Sequence, residues 1–157
     1  MELIYTSDLE RARNTAEEIG RRQRREVPVM MMPELRECNY GLWEGLTRPE
    51  AAGRFPADWT SWVEGKGGER PPGGEDFRSL ERRAGRVFDA AVRERKTVLI
   101  SAHRGPLRAI LCHALGIDSV YRDRFFVANC SLSALECRPE QQPCLMLLND
   151  TCHLHGV

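Results

Sequence analysis

Apolar residues recur along this 157-residue chain with two different periods, and their alternation predicts the architecture. Short apolar runs at Leu3-Ile4-Tyr5, Val27 to Met32, Thr97 to Ala102, Ser131 to Cys137 and Cys144 to Leu148 have the length and composition of strands. Pro28 and Pro33 punctuate the second run and place it at a sheet edge, because proline has no N–H to give to a ladder. Thr97-Val98-Leu99-Ile100-Ser101-Ala102 shows no polar alternation and reads as a buried parallel strand.

Between these runs the apolar spacing changes to three and four. Ser7-Asp8-Leu9-Glu10 has the S-x-x-E spacing of a capping box, which predicts a helix running towards Arg25. Phe77, Leu80, Ala84, Val87, Phe88 and Ala91 form one stripe of a long helix beginning near Glu75. Leu107, Ile110, Leu111 and Leu115 share a face of another, which Gly116 stops. Leu35 to Gly45 reads as a loop. Pro49 to Gly74 carries Trp59 and Trp62, ends in Gly67-Gly68, Pro71-Pro72 and Gly73-Gly74, and reads as an irregular excursion of the kind that shapes binding sites. Strands alternating with helices imply an α/β protein with three layers, α/β/α, and a mostly parallel sheet.

Composition bounds what this fold does. The length suits a single domain over residues 1–157. The 23 basic and 23 acidic residues cancel, so no global field favours nucleic acid or an acidic membrane. The arginines at 21, 22, 24 and 25 sit where cations complement a helix end, without the interleaved aromatics of a nucleic-acid surface. No run is long enough to span a membrane and no secretory signal opens the chain, so the expected location is cytoplasmic. The six cysteines then read as reduced thiols. Cys152, His153 and His155 lack a supporting C-x-x-C pair, so neither a metal nor another cofactor is expected.

Open α/β sheets bind ligands beyond the carboxyl ends of their strands, which singles out the polar residues placed there. Arg11 lies in the first turn of the helix after Leu3-Ile4-Tyr5, where free N–H groups and a guanidinium fork both suit an anion. His103 follows the most apolar strand and precedes a helix. Glu37 is a loop carboxylate, and burial would raise its pKa enough for proton donation.

Several stretches together resemble the histidine phosphatase (phosphoglycerate mutase-like) superfamily. Ser7-Asp8-Leu9-Glu10-Arg11-Ala12-Arg13-Asn14-Thr15-Ala16 is similar to its S-D-L-x-R-A-x-x-T-A motif. Leu35-Arg36-Glu37 through Gly41-Leu42-Trp43-Glu44-Gly45-Leu46-Thr47 resembles L-R-E-x-x-x-G-x-W-E-G-x-T, and Pro72-Gly73-Gly74-Glu75 its P-G-G-E. Ser101-Ala102-His103-Arg104-Gly105-Pro106-Leu107-Arg108-Ala109 resembles S-H-G-x-x-L-R-A. The short lid looks most like the broad-specificity and α-ribazole phosphatase branch. The resemblance implies a phosphate clamp at Arg11, a general acid and later base at Glu37, and a second histidine, His103, that stabilises the transferring phosphoryl group. It also implies a small phosphorylated metabolite or inorganic phosphate as ligand, with phosphatase and mutase chemistry both open.

Two departures temper that expectation. The family's nucleophilic histidine stands in an R-H-G motif ending a central first strand upstream of S-D-L, whereas only six residues precede Ser7 and no R-H-G occurs in the chain. The expectation is therefore a fold missing that strand, a chain inactive or nearly so by itself, and a gap closed directly or by a homo-oligomer or strand-supplying partner. A non-catalytic phosphate-binding or scaffolding domain is the alternative. Arg104 stands where the family has glycine, either as a replacement clamp for phosphate or because Gly105 re-registers the loop.

Overall fold

The computed structural model describes residues 1–65 and 69–154. Three parallel strands form its sheet: β1 (Leu3–Thr6) at the centre, β2 (Val29–Met31) on one side and β3 (Val98–Ser101) on the other. The proline-flanked β2 is at an edge, as its lack of donors requires. Helix α1 (Glu10–Arg21) covers one face, packing Ala16 against Ile4 and Val27. Helices α4 (Phe77–Arg93) and α5 (Arg104–Leu115) cover the other, where Leu80, Ala84, Val87 and Phe88 meet Leu3 and Tyr5. The side chains of β1 divide between the two layers, which is the consequence of a period of two.

β4 (Leu132–Glu136) and β5 (Cys144–Asp150) pair antiparallel with each other but not with β3. Direct closure of the sheet is therefore not what happens: a gap separates β3 from β4 where the missing strand was expected. Its cost shows at β3. The run expected to be buried is only half-buried at all four positions, and among the described residues no strand pairs with its other edge. Leu132, Met146 and Leu148 on the ribbon are exposed as well.

Other departures are local. The capping box does not form at Ser7. Leu9 is the N-cap without a side-chain bond, and Ser7 Oγ instead accepts the Leu9 N–H at 3.2 Å. The helix stops at Arg21, short of Arg25, with Arg21 and Arg22 paired to Glu17 and Glu18 as a solvated end. The excursion is less irregular than expected: it holds α2 (Arg48–Arg54), which Thr47 and Glu50 cap reciprocally, and α3 (Pro56–Glu64). The Leu35–Gly45 loop is bounded and interrupted by 3-10 turns at Pro33–Leu35 and Gly41–Trp43. Gly67-Gly68 and His155 lie outside the described residues. Among the described residues no helix is long and apolar enough to cross a membrane, and all six cysteines are free, with Cys38 and Cys112 buried.

Candidate active site

The carboxyl ends of β1 and β3 meet at Ser7 and His103, and the site grows from that meeting. Ser7 donates its N–H to the Ser101 carbonyl at 3.0 Å, extending the β1–β3 pairing by one step. Its fully buried hydroxyl then lies 3.0 Å from His103 Nε2. His103 is the N-cap of α5 and only 7% exposed. Burial, followed by the nearby Arg11 and Arg83 guanidiniums, pushes its pKa down to about 4, so the imidazole is neutral at physiological pH. Since Ser7 Oγ already accepts from Leu9, its own proton is free to donate to Nε2, which would leave the ring proton on Nδ1.

Glu37 reaches the same place from a loop. Its Oε1 accepts the Cys38 N–H at 2.8 Å and the Gly105 N–H at 3.1 Å, so the carboxylate seats on the first turn of α5. A Cβ at position 105 would stand 2.2 Å from that oxygen. Glycine at 105 thus leaves room for the carboxylate on this turn, which a side chain there would displace, and Arg104 precedes it at the helix surface. Burial raises the Glu37 pKa, while the two N–H donors and then Arg11 and Arg83 oppose the rise.

Two arginines that the sequence did not single out hold this loop. Arg83, on α4, uses every N–H of its guanidinium: two go to Glu75 at 2.8 Å each, and the rest to the carbonyls of Glu34, Arg36 and Glu37. Arg36 forks onto Asp8, tying the loop to the turn after β1 and holding the Asp8 carboxyl below its usual range. Farther along, Asn39 and Pro72 carbonyls accept from Glu75 and Leu42. Gly41, at φ +54° with Pro72 O only 2.2 Å from where a Cβ would sit, lets the two loops touch.

Arg11, Glu37, His103 and Arg104 all line one cleft of about 1020 Å³. Arg11 is exposed to it. Arg104 donates Nε to the Val127 carbonyl at 2.9 Å and stacks its guanidinium over Phe126 at 5.0 Å, so it also ties α5 to the loop before β4. Tyr40 and Trp62 also line the cleft, Trp62 packs in turn on Trp43 and Trp43 on Trp59, and the buried Arg122 faces both Trp62 and Phe77. His153, considered in the sequence only as a metal ligand, lines the cleft too. Only its place in the fold could have revealed that.

A parallel sheet that delivers a serine, a histidine and an arginine to its carboxyl edge, beside a carboxylate seated on a helix N-terminus, defines an α/β protein with a polar crevice at that edge. Residues 1–151 match the model of the histidine phosphatase superfamily, branch 1, and the chain belongs to that superfamily. It is 32% identical over 157 residues to phosphoserine phosphatase 1 of Hydrogenobacter thermophilus, covering 98% of this chain and 72% of that one. It spans only 41% of the length of several longer relatives. The α-ribazole phosphatase of Shigella flexneri superposes with a TM-score of 0.82 at 25% identity, over 95% of this chain and 73% of the other. The mycobacterial glucosyl-3-phosphoglycerate phosphatase in complex with inorganic phosphate superposes with a TM-score of 0.81 at 25% identity, over 94% and 76%. The phosphoglycerate mutase-like α/β fold is thereby established, with its sheet interrupted between β3 and β4.

Proposed function

We propose that residues 1–157 form one domain carrying the phosphate-holding and proton-transferring part of a phosphomonoester-processing site. The observation that supports this reading is the opening of Arg11, Glu37 and His103 onto one cleft at the carboxyl end of a parallel sheet. In it, Arg11 neutralises phosphoryl oxygens beside the N-terminus of α5, whose Gly105 N–H is already taken by Glu37. His103, neutral and oriented by Ser7, donates to the phosphoryl group from the side. Glu37, its pKa raised by burial, protonates the leaving alkoxide. Arg104 is assigned mainly to holding the loop before β4, with its outer nitrogens available to an anion. The ligand is a small phosphorylated metabolite or inorganic phosphate in the cytoplasm.

A covalent route also needs a nucleophile in line with the leaving oxygen, and one imidazole cannot both attack phosphorus and flank it. The chain alone is therefore expected to bind phosphate but turn over little. Isothermal titration should show orthophosphate binding that Arg11→Ala weakens at least tenfold. Release of phosphate from an aryl phosphate should stay near background. Robust turnover with an acid-labile phosphoenzyme, abolished by His103→Ala or by His153→Ala, would overturn the inactivity and identify the nucleophile. Absence of phosphate binding would overturn the site. The non-catalytic reading, a phosphate-binding scaffold, shares the binding result and is favoured if adding a strand that ends in R-H-G restores no turnover.

A further inference from the structure

The charges lining the cleft are out of balance with those of the chain. Over the whole sequence 23 basic and 23 acidic residues cancel, yet Arg11, Arg48, Arg104, Arg108 and Arg122 all line this cleft, against a single carboxylate, Glu37. Arg11 and Arg104 stand with His103, where their charge matches one phosphate dianion. The other three have no part in the chemistry proposed above.

Those three gather where the alcohol part of a phosphate ester would lie. Glu37, the proton donor, touches Gly105, and from this pair both elements advance by three residues: the loop to Tyr40, and α5 to Arg108, ~4.5 Å beyond Gly105 on the same face. Arg108 braces the next segment, giving Nε to the Arg122 carbonyl at 2.6 Å and Nη2 to Asp123 at 2.5 Å. The Arg122 side chain is thereby set between Trp62 and Phe77, 5.7 and 5.2 Å from their ring centres, and is only 6% exposed. Tyr40 meets the same Trp62 ring edge-on at 6.2 Å. Burial, then Cys38 and Glu37, push the Tyr40 hydroxyl up to about 12, while Arg108 and then Arg48 oppose the rise, so both guanidiniums lie within electrostatic reach of it.

These cations are poorly matched by the protein itself. The polar contacts of Arg122 are long: 3.3 Å to the Ser119 carbonyl, 3.5 Å to the Trp62 carbonyl, and 3.6 Å to the Asp123 carboxylate, the last too far for a hydrogen bond. Asp123 is shared with Arg108 and faces solvent. The Arg48 side chain has no hydrogen-bond or ion-pair partner among the described residues. A buried guanidinium attracts an anion more strongly than a solvated one, since folding has already stripped its water.

We propose that Tyr40, Arg48 and Arg122 form a second anion subsite, so that the ligand of this cleft is a phosphate monoester whose alcohol part carries its own carboxylate or phosphate. The inference rests on the phosphate itself being held at Arg11 and His103, as proposed above. Glu37 then lies between the two anions, beside the ester oxygen it would protonate.

Isothermal titration of the 157-residue chain tests it. The probes are orthophosphate, the phosphate esters of glycolic, β-hydroxypropionic and γ-hydroxybutyric acids, the matching ethyl, propyl and butyl phosphates, and propanediol bisphosphate. At least one doubly anionic ester should bind roughly tenfold or more tighter than its alkyl counterpart, the worth of one charge-assisted contact, and the one that does identifies the second anion and its spacing. Arg48→Gln, at an exposed position, should cut that ratio by roughly threefold or more, and Arg48→Lys should keep part of it. Because Arg122 is buried and replacing it endangers the fold, its part is measured in the intact chain: its Nε–H signal in nitrogen NMR should shift with the doubly anionic ester and not with the alkyl phosphate. Orthophosphate binding together with a ratio near one for every pair would overturn the second subsite and leave the phosphate site standing. A high ratio that survives Arg48→Gln and leaves the Arg122 signal unmoved would overturn it as well. If neither orthophosphate nor any ester binds, both proposals fall.

Discussion

Replacing Arg83 by methionine keeps much of its aliphatic packing on α4 and removes five hydrogen bonds. The ion pair with Glu75 is largely sheltered, the two side chains being 17% and 18% exposed. Removing one member of a buried pair costs ~3–5 kcal/mol because the other is left desolvated, and partial exposure argues for the lower end, about 3 kcal/mol. The carbonyls of Glu34, Arg36 and Glu37 can recover water, so little more is added for them. In a domain of this size that loss lowers Tm by roughly 6–12 °C. Urea unfolding measures it directly. Amide exchange reports the local consequence: the Cys38 and Gly105 N–H groups, both bonded to Glu37, should lose protection when the loop is released. Arg83→Lys retains the charge but not the fork and should recover less than half of the loss. A double-mutant cycle with Glu75→Gln should return a coupling of ~1–3 kcal/mol. A loss under about 1 kcal/mol with Cys38 and Gly105 still protected would refute Arg83 as the support of the Glu37 loop.

The residues around His103 offer three more tests. His103 binds its proton less readily folded than unfolded, so stability is full above its ordinary value of 6.5 and is lost as pH falls towards about 4; a pH series of urea midpoints should show this slope, and His103→Gln should flatten it. Ser7→Ala should cost about 1–2 kcal/mol by leaving a buried ring nitrogen without a partner, and nitrogen NMR of the imidazole should show the single tautomer give way to a mixture. Gly105→Ala should expel the Glu37 carboxylate from the turn of α5, and the Cys38 amide should then exchange faster even if the fold survives.

Much of the molecule could be read from the chain because the controlling forces are local. Apolar runs located the five strands among the described residues and apolar periods two of the three helices that cover the sheet, the first having been placed by a capping-box spacing that does not form, and the prolines around β2 fixed its edge position through missing donors. The motif around each strand end was enough to select Arg11, Glu37 and His103, which do open onto one cleft. What escaped was set by partners far apart in sequence. Ser7 looked like a helix cap, but a histidine 96 residues away lies against its hydroxyl, and a buried hydrogen bond outweighs an exposed cap. Nothing in the sequence marked Arg83, and only the folding of the Glu34 to Glu37 loop onto α4 gave its five donors their acceptors. The exposure of β3 is the clearest case. Its sequence has the apolar character of a central strand, yet burial needs a neighbour on each edge, and among the described residues β1 is the one strand that pairs with it.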